Sequence, residues 1–154
     1  KLGRALVGAG PRLTGGCWMG DTPAEVALSV RAQHAEGPLW DAATGRLWWV
    51  DIPAERVHCW YPGSSEHRSW STIGQPGGVV LGATGEPVVA TPEGLALLDR
   101  STGTLDLRVP IEHDRPENRA NDAKVDSRGR VWVGTMAFDR RPRNARCTAS
   151  TATV

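Results

Sequence analysis

The stretch that decides the fold is DAATGRLWWVD, residues 41–51. It joins a polar turn ending in glycine to a short run of β-prone side chains, and the same arrangement recurs in GATGEPVVAT (residues 82–91) and DSRGRVWVGT (residues 126–135). The glycines that anchor the three repeats are Gly45, Gly85 and Gly129. Successive anchors are 40 and 44 residues apart. A period of ~40–45 residues is that of one four-stranded blade of a β-propeller.

The segments between the repeats also have the patterns of strands. Outer strands are predicted at residues 56–61, 67–70, 94–99 and 105–109, and inner strands at 77–81 and 121–126. The glycines that begin the stretch 77–81 permit a close approach of backbones near a central channel. No long stretch has the 3.6-residue period of a helix. The fold class is therefore predicted to be all-β, with about three blades of a propeller, whereas closed propellers have about four to eight.

Composition and charge exclude several classes of partner. The 154 residues include 18 basic and 17 acidic side chains, a net charge of +1. This balance predicts no binding to nucleic acid or to an acidic membrane surface, and no apolar run approaches the ~18 residues that span a bilayer. The cysteines, Cys17, Cys59 and Cys147, form no C-x-x-C pair, which favours reduced thiols in a cytoplasmic protein.

Both ends of the chain depart from the repeat pattern. Residues 1–21 are rich in glycine and lack a strand period, so we expect a disordered N-terminal extension. Residues 140–154 lack the apolar strands with which a third blade should finish, and we expect a disordered basic tail there. The propeller domain is accordingly predicted to comprise residues 22–139.

The first candidate for chemistry is the cluster His34-Ala35-Glu36-Gly37-Pro38, just before the first repeat. A carboxylate followed by Gly-Pro lies at a sharp, rigid bend. Such a carboxylate can be a ligand of a divalent cation, because hard cations take oxygen donors. It can also be a turn carboxylate that accepts backbone N–H bonds, and the spacing alone favours this second interpretation.

The second candidate is the polar run ENRANDAKVD, residues 117–126, which leads into a predicted inner strand. Arg119 and Asn121 are two residues apart, so in an extended segment both side chains point the same way. Together they could form hydrogen bonds with a polyhydroxylated or carbonyl-bearing ligand. The alternative is a charged loop in water, and the residues themselves leave both interpretations open.

With these residues identified, the sequence resembles the family of senescence marker protein/regucalcin, gluconolactonase and luciferin-regenerating enzyme. The segments that carry the resemblance are AEGPLW (35–40), LWWVDIP (47–53), VHCW (57–60) and, above all, NRANDAKVDSRGRVWVGTM (118–136). The resemblance covers about residues 22–139, which is roughly the first half of the family's domain. It implies the first half, about three blades, of a six-bladed β-propeller.

The resemblance also implies a site for a metal and a substrate. The family binds one divalent cation (calcium, zinc, manganese or magnesium) through a Glu, an Asn and an Asp, and Glu36 matches the Glu. Arg119 and Asn121 match the substrate-binding pair, and Asp139 falls where an acidic substrate contact often lies, although the family frequently has Glu there. The Asn and Asp ligands, the latter acting as general base, belong to later blades than those in this sequence, so the catalytic residue itself is unknown here.

The implied function is that of a metal-dependent sugar lactonase, which hydrolyses the ester bond of an aldonolactone. Because the sequence contains one ligand of three and no general base, we expect a truncated and inactive form. Its partner would be a small-molecule sugar lactone, and the sequence does not indicate an oligomeric state. Two alternatives are a calcium-binding regulatory protein of the regucalcin type and a non-enzymatic propeller used as a binding platform.

Overall fold

The computed structural model describes residues 3–7, 24–139 and 146–150, and within these ranges every regular element is a β-strand. The strands are β1 (Gly3–Val7), β2 (Glu25–Ala32), β3 (Ala35–Asp41), β4 (Arg46–Asp51), β5 (Arg56–Tyr61), β6 (Glu66–Ser71), β7 (Gly78–Leu81), β8 (Pro87–Thr91), β9 (Gly94–Leu98), β10 (Leu105–Pro110), β11 (Asn118–Val125), β12 (Val131–Ala137) and β13 (Arg146–Ser150). Across the same ranges, no helix is long and apolar enough to cross a membrane. The predicted all-β class is confirmed.

Three antiparallel sheets follow one another along the chain. Blade 1 has the strand order β3-β4-β5-β6, blade 2 the order β7-β8-β9-β10, and blade 3 the order β11-β12-β13. Each blade therefore begins with its innermost strand and proceeds outward by hairpins. All the outer and inner strands predicted from the repeat pattern are present, and the tandem repeat is a repeat of blades.

The anchoring glycines explain why the turns recur. Gly45, Gly85 and Gly129 have φ values of +68°, +87° and +76°. This left-handed region is costly for residues with a Cβ atom, so each turn needs glycine at this position. Each glycine ends the turn between the first and second strands of its blade.

Apolar side chains fill the two spaces between neighbouring blades. Blades 1 and 2 enclose a cluster that includes Trp48, Val50, Val57, Cys59, Val79, Val89 and Leu98. Blades 2 and 3 enclose a second cluster that includes Val88, Ala90, Leu95, Ala123, Val131 and Val133. Within blade 2, Val88 and Val89 are adjacent on β8 and belong to different clusters, because alternate side chains of a strand point to opposite faces of the sheet.

The two terminal segments contain strands. β1 pairs with β2 in a separate two-stranded sheet, and β13 pairs with β12 as the third strand of blade 3. These strands lie within the two ends for which the sequence predicts disorder, and that disorder stays a prediction. Other parts of the two ends, residues 8–21, 140–145 and 151–154 among them, lie outside the described residues.

Candidate functional site

The inner strand of blade 2 runs closely between the inner strands of blades 1 and 3. A Cβ atom on Gly77 would lie 2.5 Å from the carbonyl carbon of Ala120 and 2.8 Å from the nitrogen of Asn121. On the other side, a Cβ atom on Gly37 would lie 3.7 Å from the Cα of Gly78. The segments that carry Glu36 and Asn121 thus flank one pair of glycines, and close backbone approach is what those glycines permit.

Glu36 lies at a bulge in β3. The pairing of β3 with β4 shifts register between Glu36 and Leu39, and Gly37 between them has a φ of +60°. The predicted bend at Glu36-Gly37-Pro38 is thus present, as an irregularity within a strand. Bulges of this kind re-aim a side chain and are frequent beside functional sites.

The carboxylate of Glu36 is about half exposed and makes two long contacts. One oxygen lies 3.3 Å from the Nε2 of His34, and the other accepts a bond from the backbone N–H of Gly37 at 3.3 Å. The second contact is of the turn type that the sequence left open. Both contacts are at the long end of the hydrogen-bond range, so they leave the carboxylate oxygens able to take a further partner.

Asp51 supports the loop that leads to Glu36, and the sequence analysis did not identify it. Its side chain is 2% exposed and accepts the backbone N–H groups of Gln33 at 2.8 Å and of His34 at 3.0 Å. Charge-assisted bonds of this kind are about twice as strong as neutral ones. The signal that could have revealed it is the acidic residue at the end of the apolar run LWWVD, where a buried carboxylate needs donors.

A second irregularity lies in β11 at Asn121, two residues after Arg119. The pairing of β11 with β12 shifts register between Ala120 and Asp122, so Asn121 is at the bulge. Arg119 is 8% exposed, and its guanidinium donates to the backbone oxygen of Ala120 at 2.8 Å, whereas Asn121 is exposed. The regular alternation that placed both side chains on one side is therefore interrupted, and the two residues have different environments.

A buried polar network precedes Arg119, and sequence reasoning missed it as well. The carboxylate of Glu112 accepts a bond from the Nδ2 of Asn118 at 2.8 Å and lies 3.6 Å from the Nε of Arg146. Glu112 has a φ of +47°, which is uncommon for a residue other than glycine, and its side chain is 10% exposed. This network fixes the start of β11, one residue before Arg119.

Asp139 lies in the turn that follows β12, where its side chain is exposed. It therefore lies just past the C-terminal end of β12, three residues after Met136, which is opposite Arg119 in the sheet. Asp139 has interactions of its own. Its proposed contact with a substrate remains a prediction.

The donors around Glu36 match a divalent cation only in part. Among the residues that the structure describes, no three His, Cys, Asp or Glu side chains come together as a metal site. A calcium ion takes about six to eight oxygen ligands and a magnesium ion about six. Glu36 is therefore a single candidate carboxylate ligand, and a complete site would need further oxygen ligands, such as amide, carbonyl or water oxygens, or acidic side chains other than those described.

Known proteins share this architecture and sequence. A family model described as the SMP-30/Gluconolactonase/LRE-like region matches residues 34–152. Regucalcin of Xenopus laevis is 32% identical over 118 residues, which are 77% of this chain and 40% of that protein. YvrE of Bacillus subtilis (strain 168), whose name suggests a sugar lactone lactonase, is 32% identical over 117 residues, or 75% of this chain and 40% of that protein.

A solved structure shows the same fold over most of the chain. The crystal structure of the calcium-binding protein regucalcin from Agrobacterium tumefaciens (strain C58) superposes with a TM-score of 0.73 and 26% identity, over 80% of this chain and 42% of that one. The predicted propeller fold is thereby confirmed. The chain spans about two fifths of the length of these relatives, and the family match continues past residue 139, where the sequence analysis ended the propeller domain. By the extent of that match and by these likenesses, the chain belongs to the SMP-30/gluconolactonase/LRE-like family.

Proposed function

We propose that this chain contributes the first part of the site of a metal-dependent sugar lactonase, which hydrolyses the ester bond of an aldonolactone. The observation that carries the proposal is the pair of bulges on either side of Gly77 and Gly78, which present Glu36 and Asn121 from the inner strands of blades 1 and 3. Membership of the family and the likeness to YvrE support a lactone as the substrate.

In this proposal Glu36 is one ligand of a divalent cation (calcium, zinc, manganese or magnesium). The half-exposed carboxylate has only long contacts to His34 and Gly37, so an ion can replace them at little cost. When bound, such a cation supplies Lewis-acid polarisation of a carbonyl oxygen. The residues of this chain have a separate task, which is to hold the ligand carboxylate in place, and the buried Asp51 serves it through the N–H of His34.

Arg119, Asn121 and Asp139 are proposed to bind and orient the sugar. Asn121 is exposed and offers both a donor and an acceptor to hydroxyl groups. Arg119 is held by Ala120 and Met136, so its guanidinium has a fixed direction before any ligand arrives. Fixing such groups in advance lowers the entropic cost of orienting a substrate.

The test compares the 154 residues alone with the polypeptide encoded by the whole reading frame that contains them. We expect the longer polypeptide to hydrolyse an aldonolactone only with a divalent cation, and the 154 residues alone to show no turnover. In the longer polypeptide, Glu36→Gln removes the negative charge of the metal ligand, and we expect kcat/KM to fall at least about 100-fold, as for other lost transition-state contacts. The matched control is Glu25→Gln, an exposed carboxylate on β2, which should change kcat/KM less than twofold, roughly.

Turnover by the 154 residues alone, at a rate similar to that of the longer polypeptide, would overturn the proposed inactivity. Full activity of the Glu36→Gln variant would overturn the assignment of the ligand.

A cytoplasmic location is part of the same proposal. It is supported by Cys59 and Cys147, which are both free thiols in the structure, and cell fractionation would test it.

A calcium-binding regulatory role of the regucalcin type is the second candidate, because regucalcins are among the relatives and one of them is described as a calcium-binding protein. Isothermal titration distinguishes the two functions. Calcium binding that Glu36→Gln abolishes, without hydrolysis of any aldonolactone by the longer polypeptide, would favour the regulatory role. A ligand function that survives joint replacement of Glu36, Arg119 and Asn121 would favour a non-enzymatic binding platform.

A further inference from the structure

A cavity of ≈ 250 Å³ lies on the outer rim of the molecule, between blade 1 and the turn that joins β9 to β10. Its lining includes Arg46, Cys59, Tyr61, Arg68, Trp70 and Arg100. On the side of blade 1 its lining residues lie on β4, β5 and β6, and none lies on the inner strand β3 that carries Glu36.

Strand pairing brings Arg46 and Arg68 of blade 1 onto one face. Cys59 is opposite both Trp48 and Arg68 in the sheet, and Arg46 is two residues before Trp48 on β4. Side chains two apart on a strand, or directly opposite in a sheet, share a face. This is the face that packs against blade 2, since Trp48 and Cys59 belong to the cluster between the two blades.

Contacts between the blades give the cavity fixed walls. The indole Nε1 of Trp70 donates to the backbone oxygen of Arg100 at 3.2 Å, and a Cβ atom on Gly103 would lie 3.2 Å from the Cδ1 of Trp70. The turn of blade 2 is therefore held against blade 1. Arg46 is fixed in a similar way, because its guanidinium carbon lies 5.4 Å from the centroid of the Tyr61 ring, a cation–π geometry.

The lining has an excess of positive charge. It contains three arginines and a single carboxylate, Glu66, which forms an ion pair with Arg68 at 2.7 Å. Burial raises the pKa of the Cys59 thiol to about 11, and the positive charges of Arg46 and Arg100 oppose this shift. The thiol is thus protonated near neutral pH and adds no negative charge.

We infer that this cavity binds a phosphate-type oxyanion, either free phosphate or the phosphate group of a small metabolite. The planar fork of an arginine matches the oxygens of phosphate and can donate two parallel bonds to them. The cavity is somewhat smaller than the ~300–1,000 Å³ of pockets for drug-sized ligands, so it accommodates a phosphate with a small organic group at most. The site uses none of the residues proposed for lactone chemistry and stands independently of that proposal.

A neighbouring cavity shows why size alone does not select an anion. A larger cavity of ≈ 710 Å³ lies against blade 2, and its lining includes three acids, Glu86, Asp99 and Asp106, with two arginines, Arg100 and Arg108. Its charge is opposite in sign, and Arg108 forms an ion pair with Asp106 at 2.9 Å. Arg108 is therefore a matched control: an exposed arginine on the same rim, outside the proposed site.

The test is isothermal titration of the 154-residue chain with inorganic phosphate at constant ionic strength, with sodium chloride as the balancing salt. We expect saturable binding that the double variant Arg46→Ala/Arg100→Ala weakens at least about tenfold, the loss of two charge-assisted contacts. Arg108→Ala should change the affinity less than about twofold, because its guanidinium is engaged with Asp106. Arg46→Lys keeps the charge but loses the fork, and a reduction of several-fold is expected.

Further arms identify the source of the anion. Tighter binding of glycerol phosphate than of inorganic phosphate indicates a metabolite, and the reverse indicates free phosphate; citrate should bind more weakly than either. Two results would overturn the proposal, because each would show a non-specific effect of charge: an equal loss of phosphate affinity in Arg108→Ala and in the double variant, or displacement of phosphate by chloride at the same ionic strength. If the double variant fails to fold, Arg100→Ala alone decides the question, since this exposed turn residue contributes to the lining without lying in the core.

Discussion

Blades 1 and 3 carry a tryptophan at the same position of the sequence repeat, three residues after the turn glycine, and the two side chains have different environments. Trp48 in blade 1 is 1% exposed and belongs to the cluster shared with blade 2. Trp132 in blade 3 is 39% exposed, and its indole donates to the carboxylate of Asp126 at 3.0 Å. Val88, at the same position in blade 2, packs toward blade 3.

The comparison shows that the repeat specifies which face of a strand a side chain occupies, but the neighbouring blade determines its burial. The third residue after the turn glycine faces the following blade, and the fourth faces the preceding one, as Val89 and Val133 do. In the described part of the chain, Trp132 has no following blade against it. Equal motifs can therefore contribute unequally to stability.

The largest expected effect distinguishes the two tryptophans directly. Trp48→Ala removes a fully buried ring that stacks on Trp70 at 5.9 Å, and we expect a loss of about 3–5 kcal/mol in the free energy of unfolding. Trp132→Ala removes a partly exposed ring with one indole bond, and we expect about 1 kcal/mol. Urea unfolding of both variants measures the difference. Equal losses would contradict the role assigned to the neighbouring blade.

A smaller effect is expected where blade 2 approaches the bulge of blade 3. Gly77→Ala would place a Cβ atom 2.5 Å from the carbonyl carbon of Ala120, and this backbone cannot move without opening the contact between the inner strands. Overpacking of this kind costs about 2–3 kcal/mol. The control is Gly134→Ala in β12, where a Cβ atom would meet nothing within 4 Å, and we expect about 0.5 kcal/mol or less. A Gly77→Ala variant as stable as its control would show that β7 and β11 are not in close contact.

The smallest of the three effects concerns pH and is confined to blade 1. At the fourth position after the turn glycine, blade 3 has Val133, whereas blade 1 has Trp49, which stacks on His58 at 4.9 Å and on His67 at 5.5 Å. Burial, with the positive charge of His67, lowers the pKa of His58 from 6.5 to about 4, and burial also lowers the pKa of His67. The folded state therefore resists protonation of these rings.

The sign of the pH dependence follows from this shift. Between about pH 6.5 and 4 the unfolded chain takes up a proton at His58 and the folded chain does not. The free energy of unfolding is therefore unaffected by His58 above pH 6.5 and decreases as the pH falls toward 4. A shift of this size corresponds to about 3 kcal/mol, and because solvent partly screens the ring we expect a loss of about 2 kcal/mol over this window, measured by urea unfolding. His58→Phe keeps a ring beside Trp49 and removes the titration, so its stability should depend less on pH. An unchanged dependence would exclude His58 as the cause.

The sequence predicted most of the strands because their signals are local. The turn glycines and the alternation of side chains defined β4 to β10 and β12, and they required no knowledge of neighbouring blades. β2 was missed although Val26, Leu28 and Val30 alternate with polar or small residues, since it precedes the first repeat and has no counterpart in the repeat pattern.

The arrangement of the candidate site was less predictable, because it depends on contacts between blades. The bend at Glu36 and the exposed Asn121 could be read from the sequence, but their placement around Gly77 and Gly78 results from the packing of three sheets. The bulge at Asn121 has no glycine to mark it.

The hydrogen bond between the Trp70 indole and the backbone oxygen of Arg100 makes Trp70 an intrinsic fluorescence probe of the contact between blades 1 and 2. Indole emission shifts to longer wavelength when the ring gains contact with water, and the ring of Trp70 lies at the seam where blades 1 and 2 meet. Separation of the blades would break this bond and change the contact of the ring with water. Because the chain has seven tryptophans, the difference in emission between the protein and its Trp70→Phe variant would isolate this ring and report whether neighbouring blades open as independent units or unfold together.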